Sequence, residues 1–187
     1  VGFYSYGRLP DGYTKETLTA LNGVDVSVNQ DNSIMAYYDD NGSIYVYSEN
    51  RIFSNENSNL MFIYLSNATN IDLSDLDTSK ATTMSSFFAT CVSLKEIDVS
   101  SFDTSNVTTM INLFIGCRSL EEITFGEHFN TSSVVTMINM FKDCNSLESL
   151  NLSKFDTSSA ENMSYMFSNS GVSNLDLSSF DTSKVKN

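Results

Sequence analysis

Residues 94–119 read LKEIDVSSFDTSNVTTMINLFIGCRS, and the phrase starts again at once as LEEITFGEHFNTSSVVTMINMFKDCNS. It returns from Leu147 as LESLNLSKFDTSSAENMSYMFSNS, is preceded from Asn70 by NIDLSDLDTSKATTMSSFFATCVS, and ends with a last copy, NLDLSSFDTSKVKN. Repetition at a period of roughly 20–50 residues constrains a fold more than composition does, because each unit can bury its apolar face only against its neighbours.

Each copy has two halves. The first ends in alternating apolar residues, Ile97 and Val99, with equivalents Ile71/Leu73, Ile123/Phe125, Leu150/Leu152 and Leu175/Leu177. That alternation predicts a short strand facing inward. The second half carries Val107, Met110, Leu113, Phe114 and Cys117, a spacing that predicts a helical turn against the same core. Between the halves, Asp103-Thr104-Ser105 predicts a turn and helix entry. Stacked copies would align Phe102, Phe129, Phe155 and Phe180; Met84, Met110, Met137 and Met163; and Phe88, Phe114, Phe141 and Phe167 in internal columns. The last copy lacks its second half, so further repeats or a cap are expected to follow.

Residues 1–58 fall outside the repeat and are expected to cap it. Thr14 to Leu21 predicts a short helix stopped by Asn22-Gly23, and Val24, Val26 and Val28 predict a strand. Ser33–Tyr38 and Ser43–Ser48 flank Asp39-Asp40-Asn41-Gly42 and predict a hairpin. Asn59–Tyr64 is read as a worn, earliest helical turn of the repeat.

The formal charge is -13, from 23 acidic and 10 basic residues. Nucleic acid and anionic lipid need clustered Lys and Arg, so neither is expected as a partner, and no apolar run approaches a membrane span. Cys91, Cys117 and Cys144 occupy one repeat position and match no zinc or redox spacing; buried free thiols are expected. No catalytic residue, metal ligand or cofactor is implied. The one histidine, His128, lies beside Glu127 in a one-residue insertion and is read as a surface loop residue. The column Asp77, Asp103, Asn130, Asp156 and Asp181 admits two readings, Asx-turns or Ca2+ held between repeats; Asn130 favours the turn.

The words LDLSSFDTS (175–183), VTTM (107–110), MFSNS (166–170) and GCRSL (116–120) resemble the 26-residue repeat of BspA-like leucine-rich repeat surface proteins of low-GC Gram-positive bacteria and mycoplasmas, and residues 36–62 resemble the unit that often precedes it. The resemblance implies an exported, extracellular, cell-surface protein acting as an adhesin. Together with the periodicity it gives an α/β repeat fold: a right-handed leucine-rich repeat solenoid, one short parallel strand and one helical turn per coil of about 26 residues over 59–187, the last coil incomplete, behind an N-terminal β-hairpin-containing cap over 1–58.

The function expected is a surface binding or adhesion module, not an enzyme, recognising a protein partner, a host extracellular or surface protein among the candidates; the alternative is a spacer or stalk. Solenoids bind along the exposed strand face, which places Lys95, Glu121 and Glu148 in one column, Glu96 and Glu122 in a second, and Asp72, Asp98, Thr124, Asn151 and Asp176 in a third. Tyr37, Tyr38, Tyr45 and Tyr47 of the hairpin are the candidate aromatic contacts, with packing over the first repeat as the competing role.

Overall fold

The computed structural model describes residues 1–187 except 6, 27–29, 31, 32 and 41. Val28 of the expected strand and Asn41 of the expected hairpin turn lie outside the described residues.

One helix occurs among the described residues, α1 (Lys15–Thr19). Thr14 caps it, accepting the Thr17 N–H at 3.2 Å while the Thr17 hydroxyl accepts the Thr14 N–H at 2.8 Å; these are two donors that a helix start otherwise leaves unpaired. Asn22 and Gly23 do not merely stop the helix but open β2 (Asn22–Asp25). The hairpin is β3 (Met35–Tyr38) and β4 (Ile44–Tyr47), antiparallel with Tyr37 opposite Tyr45 and Met35 opposite Tyr47. With β1 (Gly2–Tyr4) they form a four-stranded sheet in the order β1-β4-β3-β2. Pleat parity decides where the side chains go: Tyr37 and Tyr47 bury against Leu18 of α1, whereas Val46, one residue from Tyr47, packs on the repeat core. β1 carries the sheet onto the first repeat, with the Phe3 N–H donating to the Asp72 carbonyl at 3.1 Å. Pairing with the repeats continues at β5 (Ile52–Phe53), parallel to β6 (Leu76–Asp77).

The repeats lie on one another as expected. Parallel bridges run Asn57–Thr83–Thr109–Thr136–Asn162. Phe88, Phe114 and Phe141 are fully buried, and the rings of Phe62, Phe88, Phe114, Phe141 and Phe167 stack in order at 5.6, 5.3, 5.7 and 5.6 Å with interplanar angles of 11° or less. Met84, Met110 and Met137, and Phe102, Phe129 and Phe155, are buried.

The α/β leucine-rich repeat solenoid is not what the chain adopts. The strands do not merge into one parallel sheet: β7 (Glu96–Val99) pairs only with β8 (Glu122–Phe125), and beyond the sheets described the ladder is made of isolated bridges. Among the described residues the helical turns of the repeats are absent too. In residues 84–91 the N–H groups of Phe87, Ala89 and Cys91 donate to carbonyls three residues back, whereas those of Met84, Ser86, Phe88 and Thr90 donate to Thr109, Ile111, Leu113 and Ile115 of the next repeat at 2.7–3.1 Å. An α-helix would spend every N–H within itself. The alternation is set by two left-handed residues four apart, Ser86 (φ 56) and Thr90 (φ 60), repeated at Asn112/Gly116, Asn139/Asp143, Tyr165/Asn169 and Leu60/Tyr64. The earliest helical turn expected at Asn59–Tyr64 is therefore also such a left-handed turn pair. Burial at i, i+3, i+4 and i+7 is common to a helix and to this turn series, which is why spacing pointed to the wrong one.

Changes in repeat length fall on glycine. A Cβ at Gly126 would lie 2.0 Å from the Ser100 carbonyl oxygen, and one at Gly171 would lie 2.2 Å from that of Asn145.

Candidate interaction faces

The strand halves of successive repeats line a shallow trough of about 490 Å3 bordered by Asp72, Glu96, Asp98, Glu122 and Thr124. The carboxylates here differ in what they do. Glu96, Glu121, Glu122 and Glu148 are exposed, and none forms an ion pair with a described residue. Lys95 is likewise exposed and unpaired at the edge of this row. The third column is spent on the backbone instead. Asp72, Asp98, Asn151 and Asp176 accept the N–H two residues on, from Ser74, Ser100, Ser153 and Ser178, at 2.8–3.1 Å. These are Asx-turns. Thr124 occupies the position where Gly126 replaces that serine.

Asp72 has a further partner. Arg8 donates to Asp75 at 2.5 Å and to Asp72 at 3.4 Å and contacts the Ser74 hydroxyl and the Phe3 carbonyl, tying the N-terminal unit to the first repeat. Burial pushes the Asp72 carboxyl up, but hydrogen bonds from Ser74 and the charge of Arg8 hold it below the usual carboxylate range.

The second Asx column is complete. Asp77, Asp103, Asn130, Asp156 and Asp181 accept from Ser79, Ser105, Ser132, Ser158 and Ser183 at 2.8–3.0 Å. The turn reading is therefore the geometry found, and among the described residues no group of three His, Cys, Asp or Glu is placed to hold a metal ion. Burial of Asp77 raises its carboxyl, and hydrogen bonds from Ser79 together with Arg51 outweigh that and lower it.

Sequence reasoning missed the residue between the Asp and the Ser. Thr78, Thr104, Thr131 and Thr157 are buried, and each hydroxyl bridges both backbone groups of the next repeat's Asx residue. The signal was a threonine in phase in every copy.

The aromatic candidates separate. Tyr37 and Tyr47 are buried; Tyr45 is half-buried with its hydroxyl on Asp39; Tyr38 alone is well exposed, at 47%. Tyr37 and Tyr47 pack on Leu18 of α1, with Tyr45 at the edge of that cluster, not over the first repeat. The cysteines are free and buried, each thiol donating to the carbonyl of the preceding Phe column at 3.1 Å. His128 is exposed on an open cleft of about 320 Å3 with Asp77 and Asp103, two carboxylates already engaged in Asx-turns.

These features define a class: a repeat protein held together by inter-repeat backbone ladders, side-chain columns and Asx-turns, with an uncompensated acidic face. The chain belongs to the family described as "Mycoplasma protein of unknown function, DUF285", which matches residues 52–127 and 95–187, together more than half of it. The first match begins at Ile52, the first residue of β5. No curated protein and no solved structure matches the chain. The family match is consistent with the BspA-like resemblance without reaching that narrower group.

Proposed function

We propose that this chain is a surface-displayed binding module that engages a protein partner through the acidic strand side, as the BspA-like resemblance implies for an exported adhesin. The observation that carries the reading is the contrast along this side: in the trough Asp72 and Asp98 are consumed by the fold whereas Glu96 and Glu122 are exposed and unpaired, and Glu121 and Glu148 beside it are exposed and unpaired as well. Unpaired like charges destabilise a compact chain slightly and raise the encounter rate with an oppositely charged surface. The partner fitted by this face carries a basic patch, with Lys95 at the rim. Nucleic acid is a poor fit for the same electrostatic reason.

A spacer is the second reading, favoured by the continuity of the phenylalanine column through five repeats, which makes a rod whatever its surface carries. A screen of the chain against extracellular matrix and cell-surface proteins separates the two. Saturable binding that is lost in a Glu96→Lys/Glu121→Lys/Glu122→Lys/Glu148→Lys variant supports recognition; no binding by this chain, with binding retained elsewhere in a longer protein, supports the spacer.

A further inference from the structure

The N-terminal sheet has two edges and two faces. At the β1 edge the Phe3 N–H donates to the Asp72 carbonyl at 3.1 Å and the Asp72 N–H to the Val1 carbonyl at 2.7 Å, so the first repeat closes it. The face carrying Tyr37, Tyr45 and Tyr47 packs with Leu18 of α1. The β2 edge and part of the other face are left.

Register sets Phe3, Val46, Ala36 and Val24 side by side in one row across that face, from β1 to β2. Burial decays along the row. Phe3, 4% exposed, and Val46 pack on the repeat core, Ala36 is half-buried, and Val24 is 53% exposed. The flanking rows behave alike: Ile34 packs on the repeat core while Val26 opposite it is exposed, and Tyr38 and Ile44 are exposed together. The sheet therefore overhangs the repeat it covers. The wet side of an antiparallel sheet ordinarily turns polar residues outward, but here Val24, Val26 and Tyr38 continue the apolar face into solvent without a charge, on a chain of net charge -13. A contiguous apolar strip of this kind marks an interaction surface.

β2 also has the geometry of an open edge. The Val26 N–H donates to the Ile34 carbonyl at 3.0 Å, and alternation along an antiparallel pair then aims the N–H and C=O of Gly23 away from β3, where no described strand lies. Edge strands are commonly guarded by Lys or Pro; β2 reads Asn-Gly-Val-Asp and has neither.

We infer that β2 is a self-association edge: two copies of this chain pair β2 with β2 antiparallel about a two-fold axis and extend the sheet from four strands to eight. A two-fold axis requires a surface that complements itself. The strip does so, because the axis brings Val24 and Val26 of one copy beside those of the other on the same face, and no charge of like sign meets there. A basic partner finds no carboxylate on this strip and is drawn to the strand side of the repeats instead. The dimer edge is separate from that acidic face and does not depend on the protein-partner reading.

Sedimentation velocity on the intact chain, up to about 0.5 mM and from about 0.05 to 0.5 M salt, tests it. A monomer–dimer equilibrium is expected that tightens as salt screens the net charge, with slower hydrogen exchange at the Gly23 amide in the dimer. Val24→Lys/Val26→Lys should weaken association at least about tenfold, although it lowers the net charge and with it the repulsion between copies. Val24→Thr/Val26→Thr, which keeps the β-branching, should weaken it by less, and Val135→Lys, an exposed valine of the repeats, should leave it unchanged. Melting temperatures equal to the parent's in dilute solution show that the variants are folded. A chain that stays monomeric at the highest concentration and salt, which would leave the edge to a foreign strand, overturns the inference, as does a dimer that survives Val24→Lys/Val26→Lys.

Discussion

The hydroxyl of Thr104, wholly buried, donates to the carbonyl of Asn130 and accepts that residue's own N–H, both at 2.7 Å. One side chain thus satisfies both backbone groups of a residue in the next repeat, at the corner where the parallel bridges do not reach. Thr78 does the same for Asp103, Thr131 for Asp156 and Thr157 for Asp181, at 2.8–3.0 Å. Each of these four Asx residues is held twice, by a threonine below it and by the serine two residues on.

Thr104→Val keeps the shape and removes the hydroxyl, leaving a backbone N–H and C=O of Asn130 without their partner. Each unsatisfied buried group costs about 1–3 kcal/mol, so for the two groups about 2–6 kcal/mol of stability should be lost. Thr104→Ser retains both bonds and should lose only about 1 kcal/mol, the value of a buried methyl. Urea denaturation of the two variants measures the difference; equal losses would mean that the bridge contributes nothing.

Acid should weaken the stack. Hydrogen bonds from Ser158 hold the Asp156 carboxyl below its ordinary value of 3.8, and those from Ser183 do so for Asp181. A folded-state pKa below the unfolded one gives stabilisation that is present above about pH 4 and is lost as pH falls through the folded value. Asp156→Asn preserves the acceptor, as Asn130 does in its own repeat, and removes the titration. Its melting temperature should therefore fall less than that of the parent between pH 6 and pH 3; parallel curves would contradict the assignment.

The columns were legible in the sequence because a stack repeats its interior in phase, and the Asx-turns because Asp or Asn recurs two residues before Ser. The turn series was not. Its left-handed positions hold Asn112, Gly116, Asn139, Asp143 and Asn169, residues that tolerate the conformation, but Leu60, Tyr64, Ser86, Thr90 and Tyr165 occupy the same places and hide the pattern. A sequence also does not show which carboxylates are already occupied. Glu96 and Asp98 look alike on one face, and only the backbone path, which turns at Ser100, uses Asp98. In the hairpin, four tyrosines look equally available until register buries Tyr37 and Tyr47 against α1.

Tyr165 stands where earlier repeats have Asn112 and Asn139, at φ 59 and 69% exposed. The Asn139 amide donates to Asn112 at 3.0 Å, while its own carbonyl oxygen is buried without a partner. Tyr165→Asn should relieve the left-handed strain and extend this amide ladder to the orphaned oxygen. A gain of about 1 kcal/mol is expected, less the contact of Lys142 with the ring. A loss of stability on calorimetry would count against both the strain and the ladder.

The thiols should be silent in the native protein. Burial pushes Cys144 up to about 12, Cys117 is raised by its neighbour Cys91 and by burial, and Cys91, which the hydrogen bond with Cys117 lowers, is shielded from reagent by its own burial. Since the thiolate is the reactive form, Ellman's reagent at pH 8 should detect almost no thiol before denaturation and three equivalents after it. Fast native labelling would show that the repeats open locally.

The acidic face as the recognition surface is tested most directly by measuring affinity for a partner found in the surface-protein screen, comparing the parent with Glu96→Gln/Glu121→Gln/Glu122→Gln/Glu148→Gln across salt concentration. Neutralisation is expected to weaken binding at least about tenfold at low ionic strength, mainly through a slower association rate, and the two proteins should converge as salt screens the field. Equal affinities and equal association rates at every salt concentration would contradict the account.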